Sequence, residues 1–286
     1  MIKVIDTYEQ INTVFENEAF NLKKWEGYIN AIYPNSADIF KKDIEEYVNS
    51  GEDVFEKDFL PILNAVSNHP KLEMLHSSFC KVTDRLNEKM ICHFEKELDV
   101  DIVLYVGLCN GAGWVTTING KNVILLGIEK ILELNWYDEN SMYGLIYHEL
   151  GHVYHKQYGM FNQYSDDNKK AFVWQLFVEG IAMYFEQVLV KDFDYFHQDK
   201  NGWKAWCDSH FQQILAEYNA DLPTMTRFNQ RYFGDWVNYG GYGDVGYYLG
   251  TRFVQDLCNK FSLEQLVKMT IDDVYNAYLE YVNRYQ

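Results

Sequence analysis

The chain has few cysteines and no long apolar run. Its five cysteines are an odd number, and no two are spaced as C-x-x-C, which favours free thiols in a reducing compartment over a disulfide framework. No stretch approaches the roughly 18 apolar residues of a membrane span. The first twenty residues are acidic and lack the apolar core of a signal peptide. We therefore expect a soluble, cytoplasmic protein without a membrane partner.

Positive charge is also scarce. Lysine and arginine total 25 against 42 aspartates and glutamates, so the formal net charge is −17. Such a balance argues against nucleic acid or an anionic membrane as the main partner. The 286 residues, 48% of them hydrophobic, allow a sizeable core in one large domain or two lobes.

The chain changes character near residue 100. Residues 1–99 place apolar side chains at helical spacing and predict a helical N-terminal region. After residue 100, three β-branched and aromatic runs predict strands, with Asn119-Gly120 as a two-residue hairpin turn. We therefore predict a mostly helical α+β fold whose small antiparallel sheet precedes the helices of residues 140–286.

The segment His148-Glu149-Leu150-Gly151-His152 lies within a stretch of helical periodicity. At about 100° per residue, the two histidines lie within roughly 40° of each other, one turn apart. They can bind one Zn²⁺ through nitrogen, and Glu149 can reach a water on the ion. The opposite face is apolar and can pack on a core; it consists of Met142, Ile146, Leu150 and Val153.

A catalytic zinc site commonly has three protein ligands and a water molecule. The best third candidate is Glu179, in an apolar helix predicted to begin near residues 166–168, because a lone carboxylate there is costly unless it is paired or bound to a metal. Gly180 and Ala182 are small enough to let this helix pack closely on the histidine helix. The competing candidates are the Asp166–Asp167 pair and His155.

The combination of H-E-x-x-H with a downstream E-G-x-A resembles the gluzincin class of zinc metallopeptidases. The order N-G-A-G-W, I-L-L-G-I-E, Y-H-E-L-G-H, V-E-G-I-A and G-Y-Y-L-G, over about residues 100–255, resembles the bacterial family of predicted Zn-dependent proteases related to YjaZ. The resemblance implies a zincin-like metallopeptidase domain over residues 100–286. Its sheet lobe would cover about residues 100–157 and its helical lobe about residues 158–286, with the substrate cleft between them.

The resemblance also implies a residue that stabilises the oxyanion. In gluzincin aminopeptidases a tyrosine in Y-x-x-G has this role, which Tyr247 would take here, with Tyr242 as the runner-up. The alternative is that these tyrosines only pack the cleft. The chain departs from those aminopeptidases in its longer interval between His152 and Glu179. It also lacks their G-x-M-E-N element, so specificity for a free amino terminus is not implied.

The expected function is hydrolysis of peptide bonds in a peptide or protein substrate. One Zn²⁺ ion would be held by His148, His152 and Glu179, with Glu149 as general base and acid. Two alternatives remain: a non-catalytic binding or regulatory protein of zincin fold, and a zinc hydrolase of non-peptide amides. The first would have no need of Glu149.

Overall fold

The protein is an α+β molecule in which helices dominate. A computed structural model describes residues 1–41, 55–234 and 237–285. The strands are β1 (Ile2–Asp6), β2 (Phe15–Glu16), β3 (Ala19–Phe20), β4 (Val100–Tyr105), β5 (Gly113–Ile118) and β6 (Lys121–Gly127). The α-helices are α1 (Leu22–Ile32), α2 (Leu60–Ala65), α3 (Leu72–Thr83), α4 (Leu86–Phe94), α5 (Ile128–Glu133), α6 (Glu139–Tyr158), α7 (Asn168–Val190), α8 (Trp203–Ser209), α9 (Phe211–Asp221), α10 (Val245–Leu257), α11 (Leu263–Leu266) and α12 (Ile271–Tyr285).

The main sheet is mixed, with the order β1-β4-β6-β5, and the prediction of an antiparallel sheet is wrong. Strand β4 pairs in parallel with both β1 and β6, and only β5 and β6 are antiparallel. All six residues of β4 are buried, as expected for an interior strand covered on both faces. Because β6 inserts between β4 and β5, the segment after β4 is a crossing loop rather than a tight hairpin turn.

The predicted hairpin at Asn119-Gly120 is confirmed. These two residues join β5 to β6, and both have positive φ, 51° and 79°, as the favoured two-residue turn requires. Strand β5 lies at the edge of the sheet, and its first four residues are half-buried.

The first part of the chain is less helical than its periodicity predicts. The segment Ile2–Asp6 is strand β1, and a 3-10 helix at Tyr8–Val14 follows it. A regular α-helix begins only at Leu22. Its N-cap is Asn21, whose side chain accepts a hydrogen bond from the backbone N–H of Lys24. Strand β1 thus belongs to the same sheet as the strands predicted after residue 100.

The chain divides into two compact units, Met1–Glu149 and Leu150–Gln286, with the division inside the continuous helix α6. The first unit contains the main sheet and helices α1–α5. The core of the second unit is α7, which packs against α10 and α12. Contrary to the expectation from the sequence, helix α7 is long and apolar enough on average to cross a membrane. However, 67% of its most apolar window is buried inside the protein, as in the core helix of a soluble protein.

Candidate metal centre

Helix α6 carries both histidines of the H-E-x-x-H motif. It begins at Glu139, after Asp138, whose carboxylate accepts hydrogen bonds from the backbone N–H and the hydroxyl of Ser141. The predicted apolar face is confirmed, since its four residues are fully buried: Met142, Ile146, Leu150 and Val153. His148 is 5% exposed, so this imidazole has little access to bulk water.

Helix α7 supplies the third donor. It begins at Asn168, and the Asp167 side chain accepts the backbone N–H of Lys169 as its cap, close to the predicted start. Glu179 lies at the middle of this helix. Its Oε2 lies 3.3 Å from Nε2 of His152, and both side chains are mostly buried.

The donor atoms of His148, His152 and Glu179 all lie within 4.8 Å of one another, so this buried group could hold a metal ion. In a tetrahedral zinc site with ligand bonds of about 2.1 Å, two ligand atoms lie roughly 3.4 Å apart. The separation of 3.3 Å between His152 and Glu179 fits such an edge. Two imidazole nitrogens and one carboxylate oxygen are also a donor set that suits Zn²⁺.

Close helix packing fixes where Glu179 lies. A Cβ atom on Gly151 would come within 2.7 Å of the Ala182 Cα, so α6 and α7 meet there, as predicted for Ala182. Gly180 has another partner, since a Cβ on it would come within 2.2 Å of the Gly250 carbonyl oxygen of α10. Helix α7 is thus held on two sides next to Glu179.

The competing third ligands lie elsewhere. Asp166 is exposed and accepts a hydrogen bond from the Tyr164 hydroxyl, while Asp167 caps α7. His155 is fully buried among the rings of Phe161, Trp174 and Phe177, whose centroids lie 5.5–5.9 Å from its own. Burial, together with the neighbouring His152, lowers the pKa of His155 to about 3, so this imidazole is neutral at physiological pH.

Glu149 is 6% exposed and lies beside the first residue of β5. A Cβ atom on Gly113 would come within 3.2 Å of Cγ and Oε1 of Glu149 and within 2.7 Å of Leu145. The missing side chain at Gly113 therefore makes room for the Glu149 carboxylate at the edge of the sheet.

The two tyrosines predicted for the oxyanion role have different surroundings. Tyr247 is in the first turn of α10 and lines a cavity of about 530 Å³ within the second unit. Gln175, which lies on α7 one turn before Glu179, lines the same cavity, as does Arg227. The Tyr242 hydroxyl donates to the Asn201 carbonyl at 3.4 Å, outside this lining.

The sequence did not predict a second buried carboxylate–histidine pair, which involves the same helix as Glu179. Glu186, two turns beyond Glu179, is fully buried, and its Oε2 lies 2.9 Å from Nδ1 of His197. Glu186 lies on the same helix as Glu179, but helical spacing gives no sign of His197, which lies in the irregular segment after α7. This pair supports the fold of the second unit rather than adding a donor to the metal group.

Comparisons with known protein families, curated proteins and solved structures find no match to the chain. The residues of the site are therefore the basis for assigning a function.

Proposed function

We propose that the protein is a cytoplasmic zinc-dependent metallopeptidase. The observation that carries this proposal is the meeting of Glu179 with the histidine pair of α6, next to Glu149. A structural zinc site is closed by four protein ligands, whereas three ligands leave a position for water and substrate. A group of three ligands with Glu149 between its two histidines therefore fits a hydrolytic site better than a structural one.

Each residue then has a distinct role in hydrolysis. Zn²⁺ held by His148, His152 and Glu179 would supply Lewis acidity, which lowers the pKa of water and polarises a carbonyl. The Glu149 carboxylate takes a proton from the attacking water and delivers it to the leaving amine. The Tyr247 hydroxyl donates a hydrogen bond to the developing oxyanion.

Two features support a peptide as the substrate. Strand β5 lies at the sheet edge and begins beside Glu149, and an edge strand can pair with an extended peptide backbone. The cavity lined by Gln175, Arg227 and Tyr247 has the size of a site for a side chain or a small ligand. The net charge of −17 disfavours nucleic acid as a substrate. The burial of the apolar helix α7 inside the protein disfavours a membrane as the substrate.

The direct test is the cleavage of a mixed peptide library by the purified chain. We expect cleavage that a chelator abolishes and that Zn²⁺ restores. Cleavage that persists after complete removal of metal would contradict the proposal. A zinc-loaded protein that cleaves small amides but no peptide would favour the non-peptide alternative.

A further inference from the structure

A second group of metal-ligating side chains lies in the first unit, outside the site described above. His76 and Cys80 are one turn apart on α3, and Asp6 is the last residue of β1. Nε2 of His76 lies 2.7 Å from Oδ2 of Asp6 and 3.4 Å from Sγ of Cys80, and the third edge, from Sγ to Oδ2, is 3.9 Å. Three different donors therefore surround one point.

The geometry differs from that of a Cys–His–Asp catalytic relay. In a relay, one ring nitrogen faces the nucleophile while the other faces the carboxylate. Here the same nitrogen, Nε2 of His76, faces both Sγ of Cys80 and Oδ2 of Asp6. Side chains whose ligand atoms converge on one point, rather than forming a chain, can share one metal ion.

The positions of the donors are fixed by neighbouring contacts. The Tyr8 ring stacks on His76, with centroids 3.9 Å apart and ring planes 2° apart. Oδ1 of Asp6 accepts a hydrogen bond from the backbone N–H of Tyr8 at 2.9 Å, and Oδ2 of the same carboxylate faces His76. Cys80 is exposed and the His76 side chain is 26% exposed, so a fourth ligand can come from solvent.

We propose that Asp6, His76 and Cys80 form a second divalent-metal site, which takes Zn²⁺ or a similar thiophilic ion. Nitrogen, thiolate and carboxylate ligands suit Zn²⁺, with water as the fourth ligand. Because β1 and α3 are far apart in sequence, the ion joins the first strand of the sheet to the helix beside it. On binding, the Cys80 thiol loses its proton to solvent as the metal–sulfur bond forms.

Cobalt titration of the full chain distinguishes this site from the first one. The group of His148, His152 and Glu179 contains no thiol, so a thiolate-to-cobalt charge-transfer band reports the second site alone. We expect Co²⁺ to produce this band in the wild type and Zn²⁺ to displace it. The band is expected to disappear in Cys80→Ser and in His76→Ala. It should persist in Glu179→Ala, whatever that variant does to peptidase activity.

Cys92→Ser is the matched control, because Cys92 is also exposed but lies on α4 outside the donor group. This variant should keep the band at wild-type intensity. Circular dichroism of each variant verifies that the fold is retained. The proposal is overturned by the lack of a band in the wild type at saturating Co²⁺, or by an undiminished band in Cys80→Ser.

Thiol reactivity gives a second readout in the wild type. We expect Zn²⁺ to slow modification of Cys80 by a disulfide reagent at least tenfold, and a chelator to reverse this. The modification of Cys92 in the same sample should be unaffected; equal protection of both thiols would contradict a site at Cys80.

Discussion

Glu179 is the residue on which the proposed metal centre depends most, since it is the one donor of the group that α6 does not provide. Loss of a side chain that only hydrogen-bonds a metal ligand lowers metal affinity roughly 10- to 100-fold. We expect Glu179→Ala to lower zinc affinity by more than this, because it removes a ligand itself. His155→Leu, a change of similar volume in the aromatic cage three residues after His152, should retain the ion. Zinc stoichiometry after dialysis against a weak chelator, measured in a Cys80→Ser background so that it reports this site alone, tests both variants. Metal loss in His155→Leu but not in Glu179→Ala would reverse the ligand assignment.

Glu129 is another buried carboxylate, which lies outside both groups of metal-ligating side chains. It lies in the first turn of α5, is 1% exposed, and accepts the backbone N–H groups of Gly107 and Cys109 at 2.8 and 3.0 Å. Burial outweighs these hydrogen bonds and raises the pKa of Glu129 to about 7.

The raised pKa of Glu129 predicts a pH dependence of stability. Between its ordinary value of 4.5 and about 7, the folded protein holds more protons than the unfolded chain, so the contribution of Glu129 to the free energy of unfolding falls as pH rises. The decrease is at most about 3 kcal/mol. Urea unfolding from pH 5 to 8 in chelator should show it, and Glu129→Gln should remove this component. An unchanged pH profile in Glu129→Gln would contradict the assignment.

The sequence can identify a lone carboxylate in an apolar helix but cannot name its partner. Glu179 and Glu186 both satisfy that description. The structure brings Glu179 to His152 and Glu186 to His197. The H-E-x-x-H motif singled out the first pairing, whereas the second depends on how an irregular segment folds back on α7. Similarly, Asp6 and His76 meet only through tertiary structure.

At the level of elements, the crossing of α7 and α10 positions Glu179. Gly180→Ala should lower the free energy of unfolding by about 1–3 kcal/mol, because its Cβ would meet the Gly250 carbonyl oxygen, a backbone atom that cannot rotate away. Displacement of α7 next to Glu179 should also weaken zinc binding. Urea unfolding and zinc titration measure the two effects.

Gly27→Ala is the control for this substitution. Gly27 lies within α1, and nothing described lies within 4 Å of a Cβ added there. The same change should therefore stabilise the protein by up to about 1 kcal/mol and leave zinc affinity unchanged. Equal effects of the two substitutions would show that the crossing is not tightly packed.

Elements with strong local signals could be predicted, and those formed by distant pairing could not. The start of α7 and the Asn119-Gly120 hairpin follow from periodicity, caps and turn residues. Strand β1 was not predicted because its five residues directly precede apolar residues at helical spacing. Its partner β4 also lies almost a hundred residues away in the sequence. The parallel pairing of β4 with β6 was missed because sequence does not show which strand inserts between two others.

At the level of the whole molecule, the proposed metal centre would link zinc binding to the stability of the folded state. An ion that binds only the folded state stabilises it by about 2.7 kcal/mol at a hundredfold excess over Kd, or roughly 5–10 °C in Tm. We expect Zn²⁺ to raise Tm by this amount in Cys80→Ser, which retains the first site alone. Thermal denaturation in zinc and in chelator measures the difference. An equal zinc-dependent shift in the double variant Cys80→Ser/Glu179→Ala would mean that the ion acts elsewhere.

The central claim is that His148, His152 and Glu179 hold a zinc ion at which Glu149 performs acid–base chemistry. The most direct measurement is zinc content and peptide cleavage with Glu149 intact beside Glu149→Gln, both in a Cys80→Ser background so that zinc content reports the first site alone. The account predicts zinc at the first site in both proteins, with cleavage in the protein with Glu149 and at least a hundredfold slower cleavage in Glu149→Gln. A first site without zinc after incubation with the metal, or a zinc-loaded Glu149→Gln protein that cleaves as fast as the protein with Glu149, would contradict it.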